Sequence, residues 1–185
     1  MPKVTDQHLE ARRAQILEGA RRAFAKYGYD GATVPRLEEA TGLSRGAIFH
    51  YFGGKRDLFV AVAVDVNRHF VELIGSGGLA EALRGIAAED PEFLAVLIET
   101  HSRMRHDEDF VRSMTEASEE LGPPLEAWFR EAQETGVLRS DIDWKHVGRF
   151  ATLVTNGHAM RVAAGDETDV ETVIQLLEDA IRPQS

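Results

Sequence analysis

Residues 33–59 read TVPRLEEATGLSRGAIFHYFGGKRDLF, and their spacing predicts two short helices, a tight turn between them and the start of a long third helix. Thr33 is placed as an N-cap, its hydroxyl accepting from a first-turn amide. Val34, Leu37 and Ala40 recur on one helical face, with Arg36, Glu38 and Glu39 turned away from it. Gly42 ends that helix, because a left-handed residue there costs glycine little. Leu43 plugs the angle between the helices, and Ser44 caps the second one. Within the second helix Ile48 and Phe52 (i, i+4) face inward, leaving Arg45, Gly46, Ala47, His50 and Tyr51 on the outer face. A short helix with a small polar leading edge and an aromatic, basic tail fits the major groove of B-DNA.

Thr33, Val34, Leu37, Gly42, Leu43, Ser44, Gly46, Ile48, Phe49, Tyr51, Phe52, Lys55 and Leu58 stand where the TetR/AcrR family of bacterial repressors carries its signature. Residues 8–60 resemble the DNA-binding domain of that family, and the rest matches it in helical layout. The wording RLEEATGLSRGAIFHYF and the opening MPKV are similar to the AcnR-type aconitase repressors of actinobacteria, which are associated with a citrate–metal effector. No ligand residue is carried over from them, because their second-half motifs do not match cleanly. The resemblance implies an all-α fold of nine to ten helices. A three-helix helix-turn-helix DNA-binding domain would occupy residues 1–56, with its core at 33–52, and a helical effector-binding and dimerisation domain residues 57–185. It further implies a homodimer on a palindromic double-stranded operator, regulated by a small-molecule effector. The candidate DNA contacts are Thr33, Arg36, Ser44, Arg45, Gly46, Ala47, Phe49, His50, Tyr51 and Lys55. Pro35 departs from the family pattern: it stands where many relatives have a side chain able to reach DNA, which leaves Arg36 as the contact on the first helix.

The charge distribution agrees with a DNA reader attached to a sensor. The whole chain carries −10, yet residues 1–56 hold ten Lys and Arg against six Asp and Glu, a balance of +4, leaving −14 for residues 57–185. Phosphates attract the basic head, and the acidic body repels unproductive approaches. Cysteine is absent, which excludes disulfides, thiolate metal sites and cysteine catalysis. No apolar run approaches the roughly 18 residues of a membrane span. The first 15 residues lack the apolar core of a signal peptide, so a cytoplasmic location is expected.

Upstream of the quoted stretch, residues 1–6 are expected to form a mobile arm that lays Lys3 along the phosphate backbone. Leu9, Ile16, Leu17, Ala20, Ala23, Phe24 and Tyr27 then predict a supporting helix over 7–27, ended by Gly28. Downstream, Lys55 opens a helix to about residue 74, with Asp57 at its third position reaching back to a backbone amide. Gly75-Ser76-Gly77-Gly78 is taken as a linker, followed by helices at about 79–87, 91–105, 107–121, 124–136, 143–164 and 167–181.

In the last two helices, Val170, Val173, Ile174, Leu177 and Ile181 form one stripe. Val147, Ala151, Val154 and His158 face one way in residues 143–164, while Phe150, Leu153 and Gly157 face another. Helices apolar on two sides suggest a self-complementary seam across a twofold axis, with Val147, Phe150, Ala151, Val154, Val170, Val173, Ile174, Leu177 and Ile181 as its candidates. A dimer is needed because two recognition helices must reach major-groove faces about 34–36 Å apart.

Polar interruptions of the apolar helices mark where an effector would be held: Glu99, His101, Arg103, Arg130, Thr155, Asn156, His158 and Arg161. This set suits a polar or anionic molecule lying between helices 91–105, 124–136 and 143–164. The bland alternative for each is an ordinary core or surface group. Glu99 and His101 stand about 200° apart around their helix, and no HExxH, GxSxG or phosphate-binding glycine loop occurs, so no enzyme and no required cofactor is expected. The competing reading is a DNA-binding regulator without a small-molecule sensor, controlled by a protein partner or acting constitutively. A buried polar-lined cavity in the second half would favour the sensor, and a solid apolar core the competitor.

Overall fold

Helix α1 (Asp6–Gly31) buries Ile16, Ala20, Ala23 and Phe24 along one stripe, while Leu9 projects into solvent before the stripe begins. The computed structural model describes residues 6–167 and 169–183, so the expected Lys3 arm lies outside the described residues. The helical backbone breaks at Gly28 (φ 66°), as the spacing predicts. Helix α2 (Val34–Thr41) and helix α3 (Arg45–Tyr51) follow, then α4 (Lys55–Ala88), α5 (Pro91–Met104), α6 (Glu108–Ala117), a 3₁₀ turn (Glu119–Leu121), α7 (Gly122–Glu134), α8 (Trp144–Ala163) and α9 (Val170–Ile181). Every regular element among the described residues is helical.

The chain packs as two units, and packing does not divide at residue 56. The first unit joins residues 1–66 to residues 95–117; the second joins 67–94 to 118–185. The first unit keeps the start of α4 because Leu58, Phe59 and Val62 are buried in its core. Phe59 meets Phe24 edge-on at 4.8 Å and Tyr29 at 5.2 Å, and Phe110 of α6 stacks on it at 5.5 Å. Aromatic contacts of this kind tie residues distant in sequence into one core.

The second unit corrects the expected linker. Gly75, Ser76 and Gly77 are helical, and the break is confined to Gly78 (φ 73°, ψ −164°), a conformation open to glycine and strained for other residues. Leu79, Leu83 and Ile86 beyond the break are buried, and this burial outweighs the roughly 1 kcal/mol that each helical glycine costs. The arms on either side of Gly78 approach closely: a Cβ on Gly85 would lie 2.5 Å from Leu73 Cδ1. Leu83, Phe129, Leu138, Val147, Ala151, Ile174, Leu177 and Ile181 form the apolar core of this unit. Asp143 and Asp169 cap α8 and α9 through their carboxylates, so α9 begins three residues later than the periodicity suggests.

Candidate nucleic-acid interface

The ends of helices α2 and α3 have their backbone groups satisfied by side chains from α1, from α2 and from the turn. A helix leaves its last carbonyls and first amides without internal partners. At the C-terminus of α2, Gln15 Nε2 donates to the Thr41 carbonyl and Arg22 Nη2 to the Ala40 carbonyl, both at 3.0 Å. Thr41 Oγ1 donates to the Leu37 carbonyl at 2.7 Å and accepts from the Leu43 amide at 3.2 Å. Gly42, at φ 70°, returns its amide to the Glu38 carbonyl. Helix α1 lies close enough that a Cβ on Gly19 would stand 2.6 Å from Thr41 Cα.

At the N-terminus of α3, Ser44 Oγ accepts from the Ala47 amide at 3.4 Å, as its position in the sequence suggests. The Glu38 carboxylate, read from the sequence as turned outward, accepts the Arg45 amide at 2.6 Å. Thr33 differs from its expected role. Its extended backbone places it at the N-cap of α2, but its side chain makes no capping bond. Pro35, at the second helical position, has no N–H to donate there, and the hydroxyl does not take the Arg36 amide at the third position either. The Thr33 carbonyl still accepts from the Leu37 amide.

Ile48 and Phe52 are buried beneath α3. Arg45, Gly46 and His50 are exposed, Ala47, Phe49 and Tyr51 are half-buried, and the rings of His50 and Tyr51 meet edge-on at 5.5 Å. Thr33 and Ser44 are exposed beside them. Arg36 is exposed but engaged, donating from Nη1 to the Gly31 carbonyl at 2.8 Å with its guanidinium 4.1 Å from the Tyr27 ring. Lys55 donates to the Asp30 carbonyl at 3.2 Å and lies 4.7 Å from the Tyr29 ring. Burial holds its pKa below the ordinary value; the Asp30 carboxylate partly offsets this, and Arg103 adds to it.

The candidate effector residues divide between the two units. In the first, Glu99 and Arg103 face the end of α1. The break at Gly28 frees the Tyr29 amide, and Glu99 Oε1 accepts it at 3.2 Å. Arg103 stacks 3.6 Å from the Tyr29 ring and pairs with Asp30 at 3.7 Å and Asp107 at 3.3 Å. These side chains line an open cleft of about 530 Å³ together with Ser102 and His106. His101 is exposed, with Nδ1 2.8 Å from the Leu97 carbonyl.

In the second unit Arg130 pairs with Glu126 at 2.7 Å, and exposed Arg161 pairs with Asp166. Thr155 donates to the Thr152 carbonyl, and Asn156 is half-buried. His158 is buried, with neither ring nitrogen hydrogen-bonded, and burial lowers its pKa. A second open cavity, of about 420 Å³, lies between α7 and α8 with Leu125, Phe129 and Trp144 in its wall and Lys145 and Arg149 at its edge; it does not include His158.

The proposed seam also needs correction. Val147, Ala151, Ile174, Leu177 and Ile181 are spent in the core of their own unit, and Val154, Val170 and Val173 pack against that core. A side chain only 2% exposed, as Leu177 is, has no surface to offer a partner. On these two helices the large apolar groups left in solvent are Phe150, Leu153 (68% exposed) and Met160 of α8 and Leu176 of α9. Of the nine candidates, Phe150 alone belongs to this exposed set. The other stripe of α8, with Leu153 and Gly157, is the one that faces outward.

A family model described as "Bacterial regulatory proteins, tetR family" matches residues 16–62. The chain is 40% identical to the HTH-type transcriptional repressor Rv1474c of Mycobacterium tuberculosis, over 98% of this chain and 99% of that one. It is 38% identical to the HTH-type transcriptional repressor AcnR of Corynebacterium glutamicum, over 92% of each. Among solved structures, Salmonella enterica GusR superposes with a TM-score of 0.77 at 20% identity, covering 96% of this chain and 98% of that one. A putative TetR-family regulator from Rhodococcus sp. gives 0.75 at 21% identity, covering 92% and 96%. These two show the fold, and the full-length relatives show the family. No helix among the described residues is long and apolar enough to cross a membrane. The chain is a transcriptional repressor of the tetR family of bacterial regulatory proteins, and not an enzyme.

Proposed function

We propose that the protein acts in the cytoplasm as a homodimer on a palindromic operator, reading bases with α3 and releasing or gripping DNA in response to a small polar or anionic effector, with no other cofactor. The observation that carries the DNA reading is the outer face of α3. Arg45 is exposed there at the tip of a helix whose end amides are taken up by Glu38 and Ser44. Arg45 supplies the bidentate base contact. Lys55 and Arg36 supply phosphate contacts by exchanging the Asp30 and Gly31 carbonyls for phosphate oxygens. Phe150, Leu153, Met160 and Leu176 form the apolar patch that a second copy covers.

The test uses randomised duplexes, with the best-retained sequence resynthesised for titration. Arg45→Ala relaxes preference at one position per half-site and costs about 1–3 kcal/mol, whereas Lys55→Ala weakens all sequences alike and lowers the salt slope by about one. An unchanged sequence profile for Arg45→Ala sinks the assignment of α3.

Support for an effector rests on His158, since a buried polar ring without partners is costly unless something else bonds it. A thermal-shift screen of small polar metabolites, repeated on His158→Ala and Asn156→Ala, tests this part. Both variants lose the shift while keeping effector-free operator affinity. A specific observation favours the alternative regulator without a small-molecule sensor: the second unit closes around an apolar core, and its cavity is open and largely apolar-walled. No shift with any metabolite, together with unaltered operator binding, selects that reading.

A further inference from the structure

We infer that Glu38 is a positioning residue for base reading, acting through Arg45. This rests on the reading of α3 as the recognition helix.

Helix α3 has seven residues, too few to hold its shape alone. Burial of Ile48 and Phe52 docks it, and what grips its ends adds direction to that docking. Ser44 grips the third amide, but it belongs to the loop entering the helix, so that bond moves with α3. Glu38 differs because it stands on α2, seven residues before its partner. Its carboxylate reaches across the turn and accepts the first amide of α3 at 2.6 Å. A charge-assisted bond to a helix N-terminus is stronger than a neutral cap. This one is made between the two helices whose mutual angle presents the reading side chain.

Glu38 is itself fixed from below. Its carbonyl accepts the Gly42 amide, and the adjoining end of α2 is clamped to α1 by Gln15 and Arg22. The chain of support runs from α1 through α2 and Glu38 to the backbone of Arg45. The Arg45 side chain is left exposed for DNA. A carboxylate this close to the reading edge also carries a cost. It repels phosphate, so a protein that needed only affinity would gain by lacking it. Its place beside the reading arginine suits reading the right sequence over tight binding to any sequence.

Two substitutions separate the bond from the charge. Glu38→Gln keeps an acceptor oxygen and removes the charge; Glu38→Ala removes both. Binding is measured by titrating the selected duplex and a scrambled duplex of equal length over a salt series, with helicity and thermal unfolding followed in parallel. Glu38→Ala is expected to lose about tenfold in preference for the selected duplex, the scale of a lost helix cap. Glu38→Gln is expected to keep that preference while binding both duplexes more tightly, with a steeper salt dependence.

The decisive measurement is the cycle with Arg45→Ala. In that background Glu38→Ala lowers preference no further, because the group it positions is gone. Equal, additive losses in both backgrounds overturn the inference and leave Glu38 as a stabiliser of the domain. The same holds if Glu38→Gln and Glu38→Ala behave alike, or if Glu38→Ala keeps full preference. If Arg45→Ala alone leaves the sequence profile intact, the recognition-helix reading fails instead, and the two failures are told apart by that one variant.

Discussion

The pair α2–α3 and the pair α8–α9 are held by different physics. Between α2 and α3 the Glu38 carboxylate meets the first amide of α3, and polar groups tie the helix ends around it: Gln15 and Arg22 bind the end of α2 to α1, Thr41 closes α2 and Ser44 caps α3. Such bonds are directional, and they leave the outer face of α3 free of any structural duty. Between α8 and α9 the contact is apolar burial, with Val147, Ala151, Ile174 and Leu177 in one core. Burial is strong but sets no direction, and one polar group buried on α8, His158, has neither ring nitrogen hydrogen-bonded among the described residues. A reader of bases needs its side chains held at fixed angles. The proposed seam needs a large apolar face, one stripe of α8 being spent inside and one left for another molecule.

The widest gap between the two faces of α8–α9 appears when each receives a charge. Leu177→Glu and Ile174→Glu place an unpaired carboxylate in the core, at a cost of about 3–5 kcal/mol, comparable to the whole stability of a small unit. Helicity and the unfolding transition are expected to collapse in both. Leu153→Glu charges the exposed face and changes protomer stability by less than about 0.5 kcal/mol, while sedimentation shows dimer giving way to monomer and operator affinity falls. A folded, dimeric Leu177→Glu protein would reverse the assignment of the two faces.

This contrast also explains what the sequence made legible. The turn chemistry of the reading head is local, so Gly42, Ser44, Ile48 and Phe52 could be placed from spacing alone. The helices of the second half were likewise legible from their Pro and Gly punctuation. Which stripe of α8 faces inward was not, because Val147/Ala151/Val154 and Phe150/Leu153/Gly157 are both apolar enough for either duty; only the packing of α4, α7 and α9 decides it. The role of Glu38 was hidden for a related reason. On an isolated helix it points away from the apolar face, and its partner exists only once α3 has docked. Spacing alone offers Glu99 only as a ligand group, because its partner in the fold, the Tyr29 amide, lies seventy residues away and is freed by the break at Gly28. The glycine-rich stretch at 75–78 was read as a linker because the buried neighbours that keep most of it helical cannot be seen from composition.

A middling effect is expected on the polar side of the comparison. Gly19→Ala puts a Cβ 2.6 Å from Thr41 Cα, where no flexible side chain can yield. The backbone of α1 or α2 must shift, costing about 1–3 kcal/mol. The Gln15 and Arg22 bonds to the end of α2 should stretch with it. Operator preference is therefore expected to fall along with the unfolding temperature, whereas a substitution of similar cost deep in the second unit lowers the temperature alone. Equal effects on operator preference from both would dissolve the distinction.

The smallest effect is the dependence of stability on pH that His158 brings to the apolar side. Burial sets its folded-state pKa below the ordinary value of 6.5, which applies in the unfolded chain. Well above pH 6.5 the imidazole is neutral in both states and contributes no slope. As pH falls through 6.5 the unfolded chain takes up a proton that the folded protein refuses, so stability is lost on acidification until the folded-state value is passed. His158→Leu removes this term. The carboxylates whose pKa is lowered also favour the folded state at neutral pH, Asp107 through the Phe110 amide and Glu171 through Arg84. They lose that contribution only at more acidic pH, around the carboxylate range near 4, and equally in both proteins. Urea midpoints of the parent and of His158→Leu, measured from pH 7.5 down to 5.5, should therefore diverge, the parent falling faster. Parallel curves would show that the ring takes up its proton as readily folded as unfolded, and the polar exception among the buried groups of α8 would vanish with the slope.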